Sequence, residues 1–322
     1  MSDPKKHHFL PQFYLKQFKV ISQSGKYSQI WQVEKTASLN PKKVSIKDIG
    51  CKTDYHTLDL PDQEKDRKTI ENALSRLEAK QANIVKEICA TNQISEEIKP
   101  SLADFIATMR YRVPVFKEFI EKSLKADVQN TFKILMHQKE LPPPPKELKE
   151  LFQKEGYDCI EPKIFNWIIL KYMLDMAFNS NEPTILRKMK WRLILAPSGC
   201  HFITGDSPVA IYHPTYKANQ PHGVGLICKD VEISFPISKE CLVSLSWNGK
   251  DEFLQGQKKQ VAEYNRRTIV MAKKYIFASE INPNLEKQIV RYYCSQAGYK
   301  TENIWYGEGA LSHTYFVPVT VG

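Results

Sequence analysis

The spacing of apolar residues changes once along the chain, near Trp191, and this change constrains the fold more than any other feature of the sequence. Before Trp191, apolar residues recur at helical intervals. After it they form short runs bounded by Gly, Pro, Asn and Ser, such as VEISFPI and CLVSLSW, which are typical of strands. The order predicts an α+β fold, with a helical N-terminal half packed on a mainly antiparallel sheet in the C-terminal half.

Two long helices are predicted in the first half. Recurring apolar residues indicate an amphipathic helix at about 62–90. A second apolar stripe spans 102–120 and contains Pro114. Because proline removes a helix hydrogen bond, we expect this second helix to kink near Arg110.

Four consecutive prolines at 142–145 form a stiff connector between helical segments. We expect a signature segment with short strands and long helices at 1–140, the connector with further helices at 141–190, and a β-rich part with two late helices at 191–322. The three parts are expected to form one integrated domain. The remaining expected elements are helices near 146–155, 163–180, 255–272 and 283–293, and strands at 27–33 and 275–279.

Composition excludes several classes of protein. The chain has 322 residues, of which 42% are hydrophobic, so it can bury a sizeable core. It has no run of 18 apolar residues and no apolar leader segment, so we expect a cytoplasmic protein with no membrane partner. Seven cysteines without a CxxC pair fit neither a disulfide framework nor a thiolate zinc site.

The formal net charge is +10, which permits a polyanionic partner such as nucleic acid. A lysine-rich solvated surface explains the same charge without a partner. Nucleotide-binding loops of the P-loop and GxGxxG types are absent from the sequence, and Ser207 stands in GDSP rather than in a GxSxG elbow. Charge and motifs therefore leave the activity open.

Several short motifs occur together along the chain. In order, they are HHFLPQFYL at 7–15, Leu77-Glu78, Arg112-Val113-Pro114, FITGDSPV at 202–209, and Asn265 ahead of Tyr275. This series resembles a bacterial family known as domain of unknown function 4238, over roughly residues 7 to 279. The family more often has Ser before the Asp of the turn and Asn after it, where this chain has Gly205 and Ser207. The resemblance implies a shared fold and a shared polar site, but no established chemistry.

Four residues from these motifs form the candidate site. Similar sequences commonly differ at the first histidine, so the resemblance favours His8, whose imidazole can serve as a general base, a general acid or a metal ligand. Arg112 lies among inward-facing apolar positions, where a guanidinium has to be paired. Glu78 and Asp206 supply carboxylate oxygens. One histidine with two carboxylates suits a hard cation, so we expect Mg²⁺ or Mn²⁺ at Glu78 and Asp206.

The chemistry predicted from this set is metal-assisted hydrolysis of phosphodiesters in nucleic acid or nucleotides. His8, Arg112 and Asp206 are the expected catalytic residues: His8 orients or deprotonates water, and Arg112 clamps the phosphate. Tyr14, Arg112 and Asn265 are the expected substrate-binding residues. Tyr14 as a core aromatic and Asn265 as a helix-to-strand hydrogen bond are the structural alternatives.

The other candidates have structural alternatives as well. His8 can pack against a backbone carbonyl. Asp206 can hold its turn by accepting backbone N–H groups. Glu78 and Arg112 can form an ion pair between two helices. These explanations and the catalytic one stay open at the level of sequence.

Two other functions stay open beside the hydrolase. The chain can bind nucleic acid through its charge without catalysis, or act as a protein-interaction component of a multigene system. A role in defence against phage is expected from the kind of family alone. The sequence does not indicate the oligomeric state.

Overall fold

A computed structural model describes residues 5–20, 28–61, 64–217, 223–306 and 309–322. Position 27, at the start of one predicted strand, and position 62, at the start of one predicted helix, lie outside these ranges. The described residues form an α+β fold, as the sequence predicts. Within them, no helix is both long enough and apolar enough to cross a bilayer.

The helices are numbered α1 to α9 in chain order. They are Gln12–Leu15, Thr69–Thr91, Lys99–Tyr111, Pro114–His137, Lys146–Glu155, Asn166–Leu174, Glu182–Lys188, Lys258–Met271 and Pro283–Tyr292. A single π-helical turn, Asp175–Asn179, continues α6. The predicted helix after the proline run and the two late helices are confirmed.

The predicted kinked helix is in fact two helices, and the kink near Arg110 is wrong. Helix α3 ends at Tyr111 and α4 begins at Pro114. Val113 between them is extended, with φ −87° and ψ 154°, as expected for a residue before proline. Pro114 occupies the first position of α4, where a missing N–H costs no helix hydrogen bond.

Helix α2 begins later than its apolar spacing predicts, at Thr69 instead of about position 62. Leu58 and Asp66 pair as an isolated antiparallel bridge, so Asp66 belongs to this bridge and not to the helix. The Asp66 carboxylate then accepts the N–H groups of Lys68 and Thr69 at 2.8 and 3.0 Å. These donors at a helix start have no backbone acceptor within the helix, so Asp66 defines where α2 begins.

The strands are numbered β1 to β13 in chain order. They are Lys6–His8, Gln29–Glu34, Lys42–Ser45, Cys51–Thr53, Lys190–Leu195, Thr204–Gly205, Ala210–Tyr212, Glu232–Pro236, Cys241–Ser246, Glu252–Gln255, Tyr275–Ala278, Gly298–Tyr306 and Gly309–Val317. The sequence analysis did not predict the hairpin of β12 and β13.

The strands form two larger sheets and two ribbons. One sheet has the order β10-β5-β9-β8-β7 and is antiparallel except for the β10–β5 pair. The other has the order β3-β2-β11-β6 and is antiparallel throughout. In it, N-terminal strand β2 pairs with β11 from the last third of the chain. The ribbons are β1-β4 and β12-β13.

The N-terminal signature segment packs between helices and sheet. Leu10, Tyr14 and Phe18 are fully buried. The Tyr14 ring stacks on Phe235 of β8, with centroids 5.3 Å apart, and meets Phe105 of α3 edge-on at 6.2 Å. Buried aromatic contacts of this kind stabilise both partners. The segment therefore anchors strand β1, which carries the two histidines, between the helical and sheet parts.

Gly50 holds the end of β1 in register. Its carbonyl accepts the N–H of Leu10 at 3.1 Å, and its φ is +62°. A Cβ added there would lie 3.0 Å from the Cβ of Leu10. This position therefore needs glycine both for its backbone conformation and for its space.

We expect Gly50→Ala to lower the free energy of unfolding by about 2 kcal/mol, because a left-handed conformation and a close contact add their costs. Gly199→Ala is the matched control, since Gly199 has φ +76° but no heavy atom within 4 Å of the added Cβ. The control should lose about 1 kcal/mol. Urea denaturation measures both variants, and equal losses would show that the contact with Leu10 is unimportant.

Candidate functional site

Strand β1 sends its two histidines to opposite sides, as alternation in a strand requires. His7 is fully buried, whereas His8 is half-buried and lies on the wall of a pocket. The His8 Nε2 atom is 3.2 Å from the carbonyl oxygen of Lys47. Burial lowers the pKa of His8.

Glu78 of α2 and Arg112 at the end of α3 form the ion pair that the sequence analysis offered as a structural explanation. Arg112 Nη2 lies 3.0 Å from Glu78 Oε1 and donates to the backbone oxygen of His8 at 2.7 Å. Burial raises the pKa of Glu78, and the charge of Arg112 opposes that rise. The structure thus brings His8, Glu78 and Arg112 together.

Arg112 is only 5% exposed. Its Nε and Nη1 atoms have no hydrogen-bond partner among the described residues. The side chain borders a small cavity of about 20 Å³, which it shares with His56 and Leu74. A cavity of this size holds about one water molecule, so the guanidinium lies behind the pocket wall and not in the pocket.

The pocket beside His8 has a volume of about 420 Å³, within the range of small-molecule sites. Helix α2 forms most of one wall, and the turn that opens α1 forms another. Its lining residues are His8, Gln12, Phe13, Glu71, Leu74, Ser75, Glu78, Ala79 and Ala82. An imidazole and two carboxylates therefore border one solvent-accessible space.

A second group of polar side chains lies directly against this pocket. His7, His56 and Glu71 each offer one potential ligand atom, and these atoms lie within 4.8 Å of one another. His7 Nδ1 accepts the backbone N–H of His56 at 2.8 Å, and His56 Nδ1 lies 2.5 Å from Glu71 Oε1. Burial lowers the pKa of His56 to about 4, so its ring is neutral at neutral pH. We call these three residues the His-His-Glu group.

Sequence reasoning missed the His-His-Glu group. His7 lies in β1, His56 lies in the segment after β4, and Glu71 lies in the first turn of α2. No short spacing connects them. The adjacency of His7 and His8 was the available signal, but the resemblance favoured His8 because similar sequences commonly differ at the first histidine.

Asp206 lies in a different place from the other predicted site residues. Its two carboxylate oxygens accept the backbone N–H groups of Lys273 and Lys274 at 2.8 Å each, and of Tyr275 at 3.0 Å. Burial raises the pKa of Asp206, and the three hydrogen bonds oppose that rise. The carboxylate therefore connects the GDSP turn to the start of β11, and not to its own turn as an Asx turn does. The structure does not bring Asp206 to His8 or Glu78.

Tyr14 has the structural role that the sequence analysis kept open for it. Its hydroxyl donates to the Pro236 carbonyl at 2.9 Å and lies 2.8 Å from Thr204 Oγ1. Burial raises the pKa of Tyr14 far above its usual value. A fully buried side chain with both contacts satisfied is part of the core, so Tyr14 does not line the pocket.

Asn265 of α8 is hydrogen-bonded to the loop just before β6, and not to a strand as its structural alternative expected. Its Oδ1 accepts the N–H of Ile203 at 3.1 Å, and its Nδ2 donates to the carbonyl of His201 at 2.9 Å. It also borders a separate cavity of about 330 Å³, together with Lys258 and Glu280. The substrate-binding role predicted for Asn265 is therefore not at the His8 pocket.

Comparison with known proteins identifies the chain at the level of family. The model of a family described as Protein of unknown function (DUF4238) matches residues 6–281. This range contains the His8 pocket, the His-His-Glu group and Asp206, and it ends before α9 and the β12–β13 hairpin. No curated protein and no solved structure matches the chain significantly.

We expect Asp206→Ala to lower the free energy of unfolding by about 3 kcal/mol or more, because three backbone donors lose a buried acceptor. Asp175→Ala is the control: its carboxylate also accepts side-chain hydrogen bonds, from Lys171 and Asn179, but at an exposed site. That variant should change stability by at most about 0.5 kcal/mol. Similar losses for the two variants in urea denaturation would contradict the structural role of Asp206.

A double-mutant cycle of Glu78→Gln and Arg112→Met should give a coupling energy of about 1–2 kcal/mol, because each single variant leaves the other member of a buried ion pair without its charged partner. The exposed pair Arg187 and Asp104, 2.9 Å apart with both side chains about two-fifths exposed, is the control. Its coupling should be below about 0.5 kcal/mol. If both cycles give the same small value in thermal unfolding, the inner pair does not hold the helices together.

Proposed function

Because this chain belongs to the family described as Protein of unknown function (DUF4238), whose description assigns no reaction, we propose its function from the chemistry of the pocket. It is a cytoplasmic, metal-dependent hydrolase of phosphodiester bonds in nucleic acid or nucleotides. The observation that carries the proposal is the meeting of His8, Glu71 and Glu78 around one open space. A role against phage rests on the family resemblance alone.

His8 is the candidate general base. Its Nε2 faces the Lys47 carbonyl at 3.2 Å, and a carbonyl oxygen can only accept a hydrogen bond. The hydrogen of the neutral ring is therefore on Nε2, which leaves the lone pair on Nδ1. An imidazole with a free lone pair at the wall of a pocket can accept a proton from an attacking water molecule.

Arg112 acts as a positioning residue in this proposal. It is buried, and its Nη2 holds both the backbone of His8 and the carboxylate of Glu78. A direct clamp on the phosphate, as expected from the sequence, requires Arg112 to reach the pocket, which its side chain does not line. Holding two wall residues of the pocket in place is the role that the observed contacts support.

A metal ion held beside the pocket would supply the remaining chemistry, because a divalent cation would act as a Lewis acid toward the phosphodiester and would favour deprotonation of water. Glu71 lines the pocket and belongs to the His-His-Glu group, so an ion there lies next to the substrate space. Asp206 has no part in this arrangement because its oxygens are bound to backbone N–H groups.

The test is hydrolysis of bis(p-nitrophenyl) phosphate, single-stranded DNA, duplex DNA and RNA by the full chain with Mg²⁺, Mn²⁺ or Zn²⁺, and with EDTA. We expect metal-dependent turnover that His8→Ala lowers about 100-fold, since a general base contributes this much or more. His137→Ala is the matched control, because His137 is exposed near the end of α4. Turnover that EDTA leaves intact, or an equal effect of both variants, would refute the proposal.

Binding of nucleic acid without hydrolysis is the second candidate function, and the net charge of +10 favours it. In that case the affinity for DNA or RNA falls steeply with salt and does not depend on His8. The hydrolysis series separates the two functions, because binding alone gives no product with any of the metal ions.

A further inference from the structure

From the His-His-Glu group we infer that His7, His56 and Glu71 form a site for a divalent transition-metal ion of the Zn²⁺ kind. This inference deepens the proposed function, since the ion would be the metal of that hydrolase. Metal binding can nevertheless be measured without any substrate. An experiment can therefore refute the metal site and the hydrolase activity separately.

The first argument is the type of ligand. Two imidazole nitrogens and one carboxylate oxygen suit zinc and its neighbours in the transition series, whereas Mg²⁺ prefers a shell of oxygen ligands. The sequence analysis expected Mg²⁺ or Mn²⁺ at Glu78 and Asp206. The His-His-Glu group offers two nitrogen ligands, whereas Glu78 and Asp206 offer only oxygen ligands. The His-His-Glu group therefore favours Zn²⁺ over Mg²⁺.

The second argument is how the ion can replace a proton. Without an ion, His56 Nδ1 and Glu71 Oε1 share one hydrogen across 2.5 Å. Two ligands with bonds of about 2.1 Å to a tetrahedral ion lie about 3.4 Å apart, so this pair must open by roughly 1 Å. Glu71 has the freedom to do so, because its side chain is 27% exposed. Binding through Nδ1 then requires the other tautomer of His56, with its single hydrogen on Nε2, so the ring stays neutral.

The third argument is the local charge. Glu71 and Glu78 carry two negative charges near this site, and the guanidinium of Arg112 carries one positive charge, which is ion-paired with Glu78. The negative charge of Glu71 therefore has no such partner among the described residues and lies beside the two histidines. A divalent cation bound at this site compensates that negative charge.

Access to the ion follows from the position of Glu71. His7 and His56 are 0% and 2% exposed, whereas Glu71 borders the 420 Å³ pocket. Three protein ligands leave one coordination position for water, which is the usual arrangement of a catalytic zinc site. A fourth position beside Glu71 can be reached from the pocket, where His8 is also placed.

The experiment is equilibrium dialysis of the EDTA-treated full chain against ZnCl₂, followed by elemental analysis of the bound zinc. We expect one Zn²⁺ per chain in addition to any bound by the seven cysteines, and we expect Glu71→Gln to lose that equivalent. MgCl₂ at the same concentration should not compete. Glu71→Gln keeps the size of the side chain, and circular dichroism confirms that the variant is folded.

A second histidine-glutamate contact in the same chain provides the control. His201 Nδ1 and Glu280 Oε2 lie 3.4 Å apart, outside the His-His-Glu group, so Glu280→Gln should keep the full zinc content. His56→Ala should behave like Glu71→Gln. Equal zinc in Glu71→Gln and Glu280→Gln, or displacement of the zinc by Mg²⁺, would overturn the inference. One Zn²⁺ lost in Glu71→Gln, with no phosphodiester hydrolysis, would support the site and refute the proposed activity.

Discussion

The candidate site depends on the burial of one guanidinium. Arg112 is almost fully buried, and a charge in a protein interior has to be paired and hydrogen-bonded. A single nitrogen, Nη2, contacts both the backbone oxygen of His8 and the carboxylate of Glu78. These contacts join β1, α2 and the end of α3. The wall of the pocket is therefore held in place by the need to neutralise Arg112.

The two adjacent histidines belong to different parts of the site: His7 to the buried His-His-Glu group, and His8 to the open pocket. Strand alternation directs His7 into the interior and leaves His8 at the pocket. His7 accepts a backbone N–H from His56, which in turn contacts Glu71. Glu71 belongs to both parts, because it borders the pocket as well. A buried group of potential ligands and an accessible imidazole therefore meet at one carboxylate, an arrangement that suits the metal-assisted hydrolysis proposed above.

The sequence predicted the features that depend on local pattern. The α+β class followed from the change of spacing near Trp191, and the Glu78–Arg112 pair followed from the rule that a buried guanidinium requires a partner. The kink expected near Arg110 was wrong, because the chain forms two helices that are separated between Tyr111 and Pro114. Asp206 shows the limit of the method: its motif indicated an acceptor at a turn, but the donors come from residues 273–275, far along the chain.

The sequence alone determined most of the helices and several strands, because helices and strands follow from side-chain spacing and turn residues within a few positions. It also determined that two adjacent histidines, His7 and His8, lie near the N-terminus. Only the tertiary structure decided which side chains meet them. His7, His56 and Glu71 come from a strand, a connecting segment and a helix, and packing brings them within 4.8 Å. Their proximity depends on long-range burial of apolar surface, which no local pattern in the sequence encodes.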